Sequence, residues 1–303
     1  VLWGGEGQHP GRLGPLKEWL RKRSREVDFV ALQECNGWHK LPNIAEECGF
    51  AHYELLECST GYHIAVMSNT PLTHVERTAG GPYHHGLLEV EAVGVRFLVT
   101  HLTPRNASAR LKETTEIQRR CRQLHAAGIP TVVVGDLNTL SPLDSEAHRS
   151  SGLMATLEQD ETFRLQEKFL SGGGDSGEAY SFDYRPMQTL LDTPLYDTAV
   201  DAGGSPPRFT TVPTALDDSD PMHAAPMRLD MILISPLLST VSAARVLNTS
   251  ETDVMSDHYA VECDVCVSDT AGGGGGAHHD SLKGRQSGNA VEGAEGVHSR
   301  QEL

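Results

Sequence analysis

Five short segments of this chain set a carboxylate, an imidazole or an amide at one end of an apolar, strand-like run: Leu32-Gln-Glu34, Thr100-His-Leu102, Gly135-Asp-Leu-Asn138, Arg228-Leu-Asp230 and Ser256-Asp-His258. A compact apolar run that stops at polar residues reads as a buried strand. Asp28-Phe-Val-Ala-Leu-Gln-Glu34 is such a strand, delivering Gln33 and Glu34 to its tip. Thr131-Val-Val-Val-Gly135 is a second, built from β-branched residues. Strand ends beside loops are where a rigid scaffold holds reactive groups.

The intervening segments fill in the architecture. Leu13, Leu16 and Leu20 repeat at helical spacing. Residues 40–48 predict another helix, ended by Gly49. His63-Ile-Ala-Val-Met-Ser68 predicts a strand closed by Asn69-Thr-Pro71. Residues 86–92 and 95–101 predict paired strands about a turn at Val93-Gly94. Asn106 or Ser108 caps a long helix that runs to about Ala127 and breaks at Ile129-Pro130. Residues 141–170 read as helical pieces and Gly172–Gly177 as a loop. Arg228–Ser235, Val241–Leu247 and a last core strand, His258–Val267, complete the domain. Hairpin-like connections interrupt any simple strand–helix alternation, which points to mixed sheets covered by helices.

A chain of 303 residues is long enough for such a domain. Its 41 acidic against 25 basic residues, a net charge of −16, argue against tight non-specific binding of duplex nucleic acid, though a local basic cleft is compatible. No apolar run reaches the roughly eighteen residues of a membrane span. The six cysteines are expected to be reduced and structural, since Cys263-Asp-Val-Cys266 lacks a second pair to complete a zinc site. Past Ser268 a five-glycine run and polar residues without periodicity predict a disordered tail over 268–303, with His278-His279 incidental. The chain opens on Val1, so no targeting segment is readable; a cytoplasmic or nuclear place is expected, with the secretory pathway as the alternative given the faint retrieval-like Arg300-Gln-Glu-Leu303.

Taken alone, each of the five segments is commonplace: a solvated strand end, a packed histidine, a turn or a cap. Together they gather Glu34, Asp136, Asp230 and Asp257 with His101 and His258, and so many carboxylates at one sheet edge need a cation or a phosphate among them. The ordered set, with Gly61-Tyr-His-Ile-Ala-Val-Met-Ser68, resembles the signature of the endonuclease/exonuclease/phosphatase superfamily over residues 1–267.

The resemblance implies an α/β fold, a four-layered sandwich of two mixed β-sheets packed face to face with flanking helices. It implies Mg²⁺ or Mn²⁺ and attack of water on a phosphoester. By the same resemblance Glu34 is the main metal ligand, with Asp257 a further contact to the metal. Asp136 orients or deprotonates the attacking water, and Asn138 holds that water and a phosphate oxygen. His101 and His258 donate to the phosphate, and Asp230 fixes the tautomer of His258. The general base is Asp136 or His258. The family's opening metal-ligand Asn falls just before Val1-Leu-Trp-Gly-Gly5, so the domain at 1–267 is expected to lack its first strand.

The substrate is expected to be a phosphodiester, nucleic acid among the candidates, and the protein a monomer. His223-Ala-Ala-Pro-Met-Arg-Leu-Asp230 lacks the Pro-Ala-Trp-x-Asp-Arg of inositol-phosphate phosphatases, and the acidic chain with three Trp is unlike apurinic endonucleases. Sphingomyelinase or phosphomonoesterase activity, or a catalytically weakened scaffold, are the alternatives. Tyr83, His84, His85 and Phe209–Thr214 are candidate cleft residues.

Overall fold

A computed structural model of the chain describes residues 10–37, 41–162, 164–173, 177–199 and 227–267. The opening Val1–Gly5, the Phe209–Thr214 loop and the tail 268–303 with His278-His279 lie outside them. The first half comprises helix α1 (Pro10–Arg23), strand β1 (Phe29–Leu32), helix α2 (Leu41–Cys48), strands β2 (His52–Leu56), β3 (Ile64–Ser68), β4 (Thr73–Thr78), β5 (Leu87–Ala92) and β6 (Val95–His101), and helix α3 (Ala107–Ala126). Next come β7 (Thr131–Asp136), α4 (Ser145–Ser150), α5 (Leu153–Glu158), α6 (Arg164–Phe169), β8 (Leu170–Ser171), β9 (Ser181–Phe182), α7 (Arg185–Leu191) and β10 (Tyr196–Asp197). Strands β11 (Asp230–Ile234), β12 (Leu238–Thr240), β13 (Arg245–Leu247), β14 (Ala260–Glu262) and β15 (Val265–Val267) follow.

Among the described residues β1, β3 and β2 form an antiparallel three-stranded sheet. A mixed six-stranded sheet has the order β10-β11-β7-β6-β5-β4, with β6 and β7 parallel. The alternation of side chains along each strand decides the layers. Ile64 and Val66 of β3 join Leu88, Val90, Phe97 and Val99 in a core between the sheets. There Phe29 stacks on Phe97 with centroids 3.9 Å apart. From the opposite face of β3, Ala65 and Met67 pack with Leu16 and Leu20 of α1 and Ile44 of α2. On the far side of the larger sheet, Leu98, Val133 and Leu233 pack with Ile117, Cys121 and Leu124 of α3 and Met187 and Leu190 of α7. The result is helix, sheet, sheet, helix, the four-layered α/β sandwich.

Local signals position α3. The Asn106 side chain accepts from the backbone N–H of Ala109 at 2.9 Å and caps the helix. Its buried residues Arg110, Glu113, Thr114, Ile117, Cys121 and Leu124 recur every three or four positions. No helix among the described residues is long and apolar enough to cross a membrane. All six cysteines are free thiols.

Three sequence expectations change. The run at 28–34 forms a strand, but β1 is only half-buried, because it lies at the margin of the described three-stranded sheet. The single strand expected over His258–Val267 is two short ones, β14 pairing with β13 and β15 with β12; the chain changes partner at Cys263-Asp264. Both halves are half-buried or exposed, so this is not a core strand. Likewise only Arg245–Leu247 of the expected 241–247 strand is extended in a sheet.

The β5–β6 turn carries a local cost. Ala92 pairs with Val95, leaving Val93 (φ 48°) and Gly94 (φ 75°) as a two-residue loop with both central φ angles positive. Glycine adopts that conformation freely; a β-branched residue does not. Val93 is 50% exposed, so little packing compensates. Val93→Asn is therefore expected to stabilise the fold by about 1 kcal/mol, read as a higher urea midpoint; a lower midpoint would contradict this account of the turn.

Candidate active site

The sheet register brings three of the predicted residues into one row. Asp136, the last residue of β7, pairs with His101 on parallel β6 and with Asp230 on antiparallel β11. Cross-strand partners share a face of the sheet. His101 Nε2 lies 3.5 Å from Asp136 Oδ2 and 3.8 Å from Glu34 Oε1. Glu34, two residues beyond β1, thus reaches the row from the other sheet. Its left-handed backbone (φ 58°) aims it there. For a non-glycine residue this conformation costs about 1–3 kcal/mol, and such strain concentrates at functional sites.

Asn138 is also left-handed (φ 48°), which asparagine tolerates well. Its N–H donates to Asp136 Oδ1 at 2.8 Å, and its Nδ2 donates to the Leu102 carbonyl at 2.9 Å. The loop after β7 is thereby tied to the end of β6. Gly135 makes the row compact: its φ is +146°, and a Cβ there would sit 1.9 Å from the Thr100 carbonyl oxygen.

Asp230 and His258 form the closest polar pair, Nδ1 to Oδ2 at 2.7 Å. Ser256 Oγ accepts from the His258 N–H at 3.1 Å and fixes the backbone there. Asp257 faces Arg12 of α1, whose Nη1 is 3.2 Å from Oδ1, both side chains being buried. All the predicted site residues come together: Glu34, His101, Asp136, Asn138 and His258 in a connected group with Asp230, and Asp257 beside it. The charge of Asp257 acts on both Glu34 and His258.

The electrostatics follow from that crowding. Burial and then the Asp257 charge push the Glu34 carboxyl up to about 8. Burial and Asp230 raise Asp136 to about 6. Burial lowers His258, but the adjacent Asp230 carboxylate outweighs it and carries the imidazole up to about 9. Burial, helped by His85 and His258, keeps His101 neutral. The His85 ring stacks on His101 with centroids 4.3 Å apart. Its Nδ1 is held by Thr60 Oγ1 at 2.8 Å.

These residues fit a divalent cation. Glu34 Oε2 is buried and has no hydrogen-bond partner, an expensive state for a carboxylate unless a cation meets it. Fully ionised, as a bound cation would make them, Glu34, Asp136, Asp230 and Asp257 carry four negative charges, against two positive ones in direct contact, Arg12 and a protonated His258. The Asp136 and Asp230 carboxylates each bring an oxygen within 4.8 Å of the other, and the protonated His258 beside them donates rather than ligates. His74, Glu76 and Glu89 also cluster. Glu89 is already neutralised there, Arg96 at 2.5 Å and Arg120 at 2.7 Å, which disfavours a cation.

Helix α3 frames the site. The buried Arg110 guanidinium donates to the carbonyls of Thr103, Arg105 and Lys168. One turn on, Glu113 accepts from the N–H of His84 at 2.8 Å and of Thr103 at 2.9 Å. Of the expected cleft residues, Tyr83 belongs to the hydrophobic core instead. His85 does adjoin His101, and His84 packs edge-on against His85.

Two buried cations near the site lie outside the five motifs. Lys168 is 3% exposed, and its charge is felt by Asp136 and His101. Arg12 had a legible signal: it stands four residues before Leu16 and eight before Leu20, in register with the buried stripe of α1.

Comparison with known proteins agrees with this architecture. The sequence profile of the Endonuclease/Exonuclease/phosphatase family matches residues 2–258. A search of curated protein sequences finds no match. Among solved structures, an AP endonuclease from Archaeoglobus fulgidus is similar at 14% identity and TM-score 0.57, over 86% of this chain and 95% of that one. The 3'-5' exonuclease NExo from Neisseria meningitidis is similar at 17% identity and TM-score 0.57, over 84% and 96%. A mannosyl-6-phosphatase from Bacteroides thetaiotaomicron is similar at 15% identity and TM-score 0.53, over 87% and 92%. At such identities the likeness speaks for the fold; the profile match speaks for the family. With its four-layered sandwich and the acid–imidazole row at the end of the larger sheet, the chain belongs to the endonuclease/exonuclease/phosphatase family, hydrolases of phosphoester bonds.

Proposed function

We propose that this protein is a Mg²⁺- or Mn²⁺-dependent phosphodiesterase of nuclease-like type, hydrolysing its substrate by attack of an activated water. The observation that carries the reading is Asp136 standing between His101 and the Asp230–His258 pair, with Glu34 reaching in from the second sheet. A divalent cation held by Glu34, with Asp257 near it, supplies Lewis-acid charge at a phosphate oxygen when bound.

The protein's own residues do the rest. Asp136 takes the proton of the attacking water; a base with its proton affinity near 6 is mostly ionised at neutral pH. Asn138, locked by Asp136 and Leu102, orients that water and a phosphate oxygen. Asp230 occupies Nδ1 of His258, so Nε2 carries the proton offered to the phosphate. His101, neutral, still donates one N–H to the developing charge. Similar folds in an AP endonuclease, an exonuclease and a sugar phosphatase are compatible with either diester or monoester substrates.

Bis-p-nitrophenyl phosphate with Mg²⁺ is the first assay. Hydrolysis should vanish on chelation with EDTA and return with Mg²⁺ or Mn²⁺; turnover indifferent to EDTA would end the proposal. The pH profile has a definite sign. Asp136 works ionised, so kcat/KM should rise as pH passes about 6. His258 works protonated, so it should fall as pH passes about 9. A panel of single-stranded and duplex DNA, RNA, sphingomyelin, inositol phosphates and p-nitrophenyl phosphate then names the substrate class, and preference for the monoester would replace the diester reading.

A further inference from the structure

The Arg12 side chain is 2% exposed and makes one hydrogen bond, from Nη1 to Asp257 Oδ1 at 3.2 Å. Its Nε and Nη2 are buried and meet no acceptor. These two N–H groups form the side edge of the guanidinium, the fork that matches two oxygens of one oxyanion. The edge is preformed, since the ion pair with Asp257 fixes the plane and α1 fixes the stem. Among the described residues, six of the ten buried side-chain polar atoms without a partner belong to Arg12, Gln33, Glu34, His85 and His101, that is, to the catalytic group and its immediate neighbours. Buried polar groups are normally satisfied, so a concentration of exceptions marks a place where a ligand completes the hydrogen bonding.

We propose that Arg12 is a substrate-binding residue whose Nε–Nη2 edge grips two oxygens of the phosphate, with Asp257 as the carboxylate that positions it. The inference deepens the phosphoester reading and rests on it. So acidic a site needs such a group: an anion approaching Glu34, Asp136, Asp230 and Asp257 meets repulsion that a fixed cation offsets. A point charge is a poor substitute for the fork, because an ammonium offers no planar pair of donors.

The test uses the full chain and inorganic phosphate with Mg²⁺, beside bis-p-nitrophenyl phosphate kinetics. Arg12→Lys keeps a positive charge next to Asp257 and removes the fork; Arg12→Met removes both. Each should weaken phosphate binding, measured calorimetrically and as an inhibition constant, by about tenfold or more. KM for the diester should rise by a similar factor. If Arg12 served Asp257 alone, Arg12→Lys would retain phosphate affinity within twofold, and that result overturns the assignment.

Should a variant fail to fold, wild-type protein labelled at arginine nitrogen provides the second measurement. The Nε–H resonance of Arg12 should move on addition of phosphate and stay still with equal acetate; no movement with phosphate overturns the proposal too. Phosphate binding through Arg12 in a protein that hydrolyses no ester would sink the function and spare the inference. Hydrolysis with phosphate inhibition untouched by Arg12→Lys would do the reverse.

Discussion

His258→Ala is expected to lower kcat/KM on bis-p-nitrophenyl phosphate by about a thousandfold, within the 10²–10⁴ range of a positioned proton donor. The reason is local. The ring is buried, its Nδ1 is bound to Asp230 at 2.7 Å, and its backbone is pinned through Ser256. What alanine removes is therefore a preorganised cation, which solvent cannot replace without reorganising. Asp230→Asn separates orientation from charge. The amide still occupies Nδ1, but the carboxylate that raises the imidazole is gone, so the alkaline limb should retreat from about 9 toward the ordinary histidine range. Loss of less than tenfold in His258→Ala, with thermal melting unchanged, would take His258 out of the mechanism.

Gly135→Ala should damage the fold itself. A methyl at this position would press on the Thr100 carbonyl, 1.9 Å away, between the two parallel strands of the sheet. Strand β6 cannot retreat, because its other edge is paired with β5 from Val95 to Thr100. Backbone strain and overpacking together are expected to cost about 3 kcal/mol or more, a large share of the stability of an ordinary domain. Gly128→Ala is the control, for its φ of +71° carries strain but no atom lies within 4 Å of the added methyl. Urea denaturation of the two variants should rank Gly135→Ala as much the worse; equal midpoints would mean that β6 and β7 can slide apart. The activity of Gly135→Ala should fall at least as far as its folded fraction, since Asp136 is the next residue.

The sequence was most informative where chemistry and periodicity coincide. Thr131-Val-Val-Val-Gly-Asp forms a strand because its branched side chains suit a sheet buried on both faces, and its terminal acid marks the site. Glu34, His101, Asp136, Asn138, Asp230, Asp257 and His258 are legible from residue type and strand-end position, and the register puts His101, Asp136 and Asp230 in one row. Less legible were elements that only partners define. Strand β4, Thr-His-Val-Glu-Arg-Thr, is largely exposed and gains its extended form from pairing with β5. The break at Cys263-Asp264 follows from a change of partner strand, which alternation within the segment does not encode. Arg228 has no partner legible in its own segment. Instead it is buried between Asp144 and Asp197, residues 84 and 31 positions away. Arg12 is similar: its partner Asp257 lies 245 positions along the chain.

Arg110 and Glu113 bear on how this enzyme can change over evolutionary time. One helical turn supplies the donors and acceptors for the backbone at Thr103, Arg105, Lys168 and His84. Those contacts go to main-chain atoms, so the side chains at these positions can vary while the loops keep their course. A turn that grips peptide groups thus lets the side chains beside the active row be exchanged without loosening the loops that carry them, much as a drill chuck accepts different bits.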